Sequence, residues 1–160
     1  MDRDRRRPFR RPPRDEEFDN SNIKEIIAEI EEKLKDSLKP ELLPGLNSFE
    51  RKMIHRHFDN SRDYKTRTYR DGEEYTLCVY PVGNLERFAK ARAQECLDSG
   101  GEVDLPPMPS FERYIVHNVL KEMPGIATVS HGEGEERHIQ IVSKKFGRSL
   151  KQIVKKIKLF

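Results

Sequence analysis

The stretch SFERYIVH, Ser110–His117, repeats almost to the letter an earlier one, SFERKMIH, Ser48–His55. Ser-Phe-Glu-Arg returns unchanged, and in each copy three residues separate the arginine from a histidine. The two phrases lie 62 positions apart, and the register holds without a gap well beyond them. Ile23, Ile26 and Ile27 fall on Leu85, Phe88 and Ala89, Leu34 on Cys96, and Leu43-Pro44 on Leu105-Pro106. Thr66 falls on Thr128, Gly72-Glu73-Glu74 on Gly134-Glu135-Glu136, and Leu77 and Val79 on Ile139 and Ile141. A fixed period of this length marks a duplicated structural unit. The units are residues 22–83 and 84–143.

Each unit reads as the same order of elements. An amphipathic helix opens the first, Ile23–Leu38, with apolar residues at 23, 26, 27, 30 and 34 and Pro40 to stop it. Its counterpart is Leu85–Leu97, closed by Gly100-Gly101. A proline-containing loop follows, then the helix that carries the repeated phrase. Asn47 or Ser48 caps that helix, with Glu50 placed for a capping box, and Ser110 after Pro109 is expected to do the same in the second unit. Phe49, Met53, Ile54 and Phe58 match Phe111, Ile115, Val116 and Leu120 as a core-facing stripe. Two β runs close the unit: YKTRTYR and EYTLCVY around Asp71-Gly72, then IATVSH and RHIQIV around a Gly-Glu-Gly-Glu turn. The fold class is therefore α+β: two tandem small units, each with helices packed on a short antiparallel sheet.

Hydrophobic residues make up 34% of the 160 and charged residues 37%, so the core is small and part of the chain is expected to stay unfolded. Residues 1–21 fit that description, an Arg/Pro-rich start followed by an acidic stretch. Residues 144–160 carry seven Lys or Arg and no acid, with Leu150, Ile153, Val154 and Ile157 on one helical face. They read as a basic amphipathic helix packed on the second sheet, its lysines in water or on phosphate. A membrane-surface or partner-docking helix is the alternative. No apolar run is long enough to span a bilayer, and no hydrophobic segment follows the N-terminal arginines. The chain is thus expected to be cytoplasmic, with Cys78 and Cys96 as reduced thiols and no cofactor. Nothing sets the five histidines and the carboxylates at metal-ligand spacing.

Residues four apart on a helix are neighbours on one face. Arg51 and His55, and again Arg113 and His117, therefore stand side by side and away from the apolar stripe. A guanidinium is a planar fork suited to phosphate, and an imidazole can hydrogen-bond or stack on a base. A lone pair of this kind is ordinarily a solvated face. Its return in a repeat that has drifted elsewhere points to nucleic-acid contact. Lys65, Arg67 and Arg70 lie together on one strand run and add positive charge to the first unit.

At these residues the chain resembles a known family. Ser110–Val142 closely resembles the R3H domain, a single-stranded nucleic-acid-binding module named for its Arg and His, and is most like the C-terminal domain of Jag-type bacterial proteins. VDLPPM, ERYIVH and PGIATVSHGEGEERHIQI carry the resemblance, and Leu46–Tyr80 resembles the same domain more loosely. The resemblance implies Arg113 and His117 as the signature pair, with Arg137 as a further basic contact. Arg51 and His55 are the first-unit pair, with Tyr75 where Arg137 would stand. Jag-type proteins usually carry a KH domain ahead of R3H, and the chain has no GxxG loop.

The expected function is non-catalytic binding of single-stranded RNA or DNA. Two other classes compete: a phosphodiesterase using Glu112, Arg113 and His117 as acid, clamp and base, and a scaffold docking through its C-terminal helix. Glu50 and Glu112 are equally explained as first-turn carboxylates at the positive end of a helix dipole. Neither a P-loop nor a nucleophile motif is present.

Overall fold

A computed structural model of the chain describes residues 20–144, and over them the repeat of sequence becomes a repeat of fold. The first unit runs α1 (Asn20–Leu34), β1 (Glu41–Pro44), α2 (Ser48–Asp59), β2 (Lys65–Asp71) and β3 (Glu74–Tyr80). The second runs α3 (Val82–Ser99), β4 (Glu102–Asp104), α4 (Ser110–Lys121), β5 (Ile126–His131) and β6 (His138–Ser143), with a short 3₁₀ turn at Gly134–Glu136. Both sheets are antiparallel, in the orders β1-β3-β2 and β4-β6-β5. Thr66 stands opposite Val79 and Thr128 opposite Ile141, so even the hairpin register is repeated. The class is α+β, as expected. The Arg/Pro-rich start and the basic amphipathic helix expected from residue 144 onward lie outside the described residues, apart from Lys144 itself.

Four local expectations are corrected. The proline-containing loops hold edge strands, β1 and β4. Pro44 is tolerated in β1 because an edge position leaves one side of the strand with no ladder bond to make. The first helix ends at Leu34, four residues before Leu38, in a turn where Ser37 N–H donates to Leu34 O at 3.3 Å. Ser110 does not cap α4: Pro109 occupies the cap position and no side chain caps the helix. In α2 the same position is Asn47, whose Oδ1 accepts from the N–H groups of Phe49 and Glu50 at 2.9 Å while its own N–H donates to Glu50 at 2.8 Å. The Gly-Glu-Gly-Glu connection of the second hairpin contains a 3₁₀ turn, Gly134–Glu136, and β6 begins at His138, one residue after Arg137.

Helices cover one face of each sheet. In the first unit Ile23, Ile30 and Leu34 of α1 and Ile54 and Phe58 of α2 close on Leu77 and Val79 of β3. In the second, Leu85, Ala89, Ala93 and Cys96 of α3 and Ile115, Val116 and Leu120 of α4 close on Ile139 and Ile141. The units are not independent. Cys78 and Tyr80, on the other face of β3, belong to the second unit's core, and Tyr80 meets Phe111 edge-on at 4.7 Å. β3 is thus buried on both faces over Leu77–Tyr80. Pro81 alone separates β3 from α3, where Gly83 N–H donates to Asp63 O at 2.9 Å. The Asn84 amide donates to Leu34 O and Ser37 O at 2.8 Å and so closes the C-terminus of α1. Cys78 and Cys96 are free thiols, both buried.

Candidate nucleic-acid interface

Both signature arginines are anchored in the same way. Arg51 donates to Leu46 O at 2.5 Å and Arg113 to Met108 O at 2.7 Å, in each case the carbonyl five residues back. This bond ties the helix to the loop before it and fixes where the rest of the guanidinium points. Arg51 goes further: it donates to Ser48 Oγ at 3.3 Å and lies over the Tyr75 ring at 4.7 Å. Among the described residues Arg113 makes no second bond of this kind. Each arginine borders a cleft, of about 410 Å³ at Arg51 and about 500 Å³ at Arg113, with Glu73 and Glu135 at matching places in the lining.

The histidines differ more. His55 pairs with Thr66 through Nδ1 and with Thr68 through Nε2, the latter at 2.8 Å. Thr66 donates its hydroxyl to Asp59 at 2.6 Å, so it takes the His55 Nδ1 proton as an acceptor, and Nε2 accepts from Thr68. Both ring nitrogens of His55 are satisfied within the protein. His117 pairs with Thr128 through Nδ1 at 2.7 Å, and Nε2 has no partner among the described residues. Lys121 stands where Asp59 does, so no carboxylate claims the Thr128 hydroxyl, which is free to donate to Nδ1. When that hydroxyl donates to Nδ1, the ring proton resides on Nε2. Burial, with the Arg113 charge adding to it, holds His117 below its ordinary pKa, so the ring is neutral at neutral pH.

One exchange accompanies the difference. Arg137 donates from Nε to Ser130 Oγ at 3.0 Å, and Ser130 is the counterpart of Thr68. Among the described residues Ser130 bonds to Arg137 and not to His117, whereas Thr68 bonds to His55. Tyr75 stands at the Arg137 position in the first unit. Arg113, His117 and Arg137 are thus gathered on one side of the second unit by Met108, Thr128 and Ser130.

The three cations of β2 do not form one patch. Lys65 and Arg67 lie on the face away from α2, and Arg70 on the face toward it. Arg67 stacks on Phe111 of the second unit at 4.5 Å. Arg70 donates to Gly72 O at 2.8 Å and approaches the Tyr75 ring at 5.6 Å. Glu112, drawn above as a catalytic acid, is 8% exposed and turned into the seam between the units, so the triad Glu112, Arg113 and His117 is not assembled. Burial raises its pKa. The threonines that orient the histidines were visible only as a matched pair in the repeat, Thr66 on Thr128. Their role needed the hairpin register. Among the described residues no three His, Cys, Asp or Glu side chains gather as a metal site would require, and no helix is long and apolar enough to cross a membrane.

Residues 83–143 match the sequence model of the R3H domain family. The chain is similar to two curated proteins, each named RNA-binding protein KhpB. That of Lactiplantibacillus plantarum is 36% identical over 64 residues, 40% of this chain and 20% of that protein. That of Bacillus subtilis is 38% identical over 77 residues, 47% of this chain and 36% of that protein. The chain therefore aligns with only a fifth to about a third of these relatives' length. The matched family segment coincides with α3 to β6, which holds Arg113, His117 and Arg137.

Proposed function

We propose that the chain binds single-stranded nucleic acid, RNA in the first instance, without altering it, and that the second unit positions the strand. His117 beside Arg113 on α4, with Arg137 on the adjoining hairpin, carries this reading. Two guanidiniums accompany a neutral donor, a set that suits phosphate oxygens on either side of one base or sugar. The relatives' names supply RNA as the class, since a 2′-hydroxyl contact depends on geometry that the protein alone does not display. The first unit is a diverged copy of the same R3H-like module. Its pair is spent internally, and it contributes charge and an adjoining surface. The protein works in the cytoplasm on this reading, with no cofactor and no small-molecule substrate.

The test is titration of Arg113→Ala and Arg51→Ala against one labelled RNA strand at two salt concentrations. Arg113→Ala is expected to cost roughly 1–3 kcal/mol at both, as loss of a charge-assisted contact does. Arg51→Ala is expected to cost less, and mainly at low salt where screening is weak. If Arg51→Ala is the costlier at high salt, the assignment of units is wrong. Incubation with Mg²⁺ should return the strand intact, and cleavage would revive the phosphodiesterase reading.

A further inference from the structure

Two tyrosines outside the site stand in the open: Tyr114 is 62% exposed and Tyr69 is 45% exposed. They lie on either side of the seam between the units. At about 100° per residue around α4, the order of its outward residues is Arg113, His117, Lys121, Tyr114, Asn118, Phe111. The Arg113 and His117 flank faces the second sheet, and the Phe111 flank faces the first. Tyr114 is the crest between them. Beyond the crest, Phe111 carries the Arg67 guanidinium at 4.5 Å and meets Tyr80 at 4.7 Å, and Tyr80 joins its hydroxyl to that of Tyr69 at 2.8 Å. Lys65, Arg67 and Tyr69 alternate along β2 and share that face. Among the described residues neither Lys65 nor Arg67 forms an ion pair with a carboxylate. On the opposite side of Arg113 the exposed Glu133, Glu135 and Glu136 form an acidic rim that repels phosphate.

We infer that a strand held at Arg113, His117 and Arg137 continues over α4, stacks a base on Tyr114, and reaches a second subsite on the first unit made by Tyr69, Arg67 and Lys65. The inference rests on the function proposed above and adds the path and length of the bound strand. An exposed ring beside cations offers a base a stacking face without regard to sequence. Arg67 is already oriented by Phe111, and among the described residues no hydrogen bond or ion pair engages the edges of its fork. The first unit then serves through the outer face of its sheet, not through its Arg51 and His55 pair.

Strand length separates the two subsites. The full chain and its variants are titrated by fluorescence anisotropy with labelled oligouridylates of about four and about twelve nucleotides, lengths bracketing one and two subsites. Tyr114→Ala and the double variant Tyr69→Ala/Arg67→Ala are each expected to weaken the longer strand by roughly tenfold. The double variant should leave the shorter strand unchanged. Tyr114→Phe should bind as the parent does, since it keeps the ring. Ultraviolet crosslinking of the longer strand should mark Tyr114 in the unaltered chain, a readout independent of any variant's folding. If the seam variants bind the longer strand as tightly as the parent while Arg113→Ala weakens both strands, the second subsite is overturned and the function stands. If Arg113→Ala changes neither strand, both are overturned. If the seam variants lose a co-purifying protein and keep the strand, the face belongs to a protein partner and the subsite is overturned.

Discussion

His55 and His117 occupy the same place in two copies of one fold and face different chemistry. The first is closed by Thr66 and Thr68, with Asp59 behind it. The second is held by Thr128 on one side only. The same pair of residue types therefore sits in two different hydrogen-bond environments. What differs is whether neighbouring hydroxyls engage both ring nitrogens or one. Arg137 engages Ser130 in the second unit, while in the first Tyr75 stands at that position and Thr68 bonds to His55.

The severest test asks whether the units can be compared as separate objects. Phe58 is buried in the first unit's core, while Cys78 and Tyr80 of β3 sit in the second's. Phe58→Ala should remove about 3–5 kcal/mol of stability. It should do so in one transition, with the amides of β5 and β6 losing hydrogen-exchange protection together with those of β2 and β3. Protection that persists in β5 and β6 would show two domains that melt independently.

Exchanging the deciding residue should transfer the property. Arg137→Tyr removes one cation and frees Ser130 for His117, so RNA affinity should fall by about 1.5–3 kcal/mol, the range for a hydrogen bond to a charged group. Tyr75→Arg should recover a part of that loss when added to Arg137→Tyr, by drawing Thr68 off His55. Binding that is indifferent to both changes would mean that the histidine environment does not govern recognition. Thr128→Val is milder. It leaves the His117 ring unoriented and should weaken RNA by about 1 kcal/mol, whereas Thr66→Val should alter affinity little.

The repeat, the helices and the hairpins were legible because apolar period and turn chemistry are local. The edge strands were not: β1 and β4 span four and three residues, and the prolines around them read as loop. The seam was announced by one sign that a period argument passes over. Leu77-Cys78-Val79-Tyr80 is a continuous apolar run where a half-buried strand would alternate, and such a run marks a strand covered on both faces. The candidate residues Arg113, His117 and Arg137 were legible in the sequence. The closure of His55 was not, because it depends on which hydroxyls the hairpin register brings beneath the ring.

The gentlest effects are those of pH, and they have opposite signs. His117 is held below 6.5 by burial and by Arg113, so the unfolded chain takes up a proton before the folded one does. Stability from this group is present above that value and falls as pH drops through the window beneath it. Glu112 is raised above 4.5 by burial, so the folded chain keeps a proton that the unfolded chain releases. Its contribution falls as pH rises through the window above 4.5. Glu112→Gln should therefore raise the melting temperature slightly at neutral pH and leave the acid limb unchanged. His117→Gln should flatten the acid limb. Melting curves of both variants across that range decide the signs.

The amide of Asn84 closes α1 from fifty residues further along the chain. A nascent chain emerges from the ribosome N-terminus first, at roughly 5–20 residues per second. The carbonyls of Leu34 and Ser37 therefore wait several seconds for the partner that ends their helix. The first unit is translated in full before it can be finished, and its last bonds are made by the opening turn of the second.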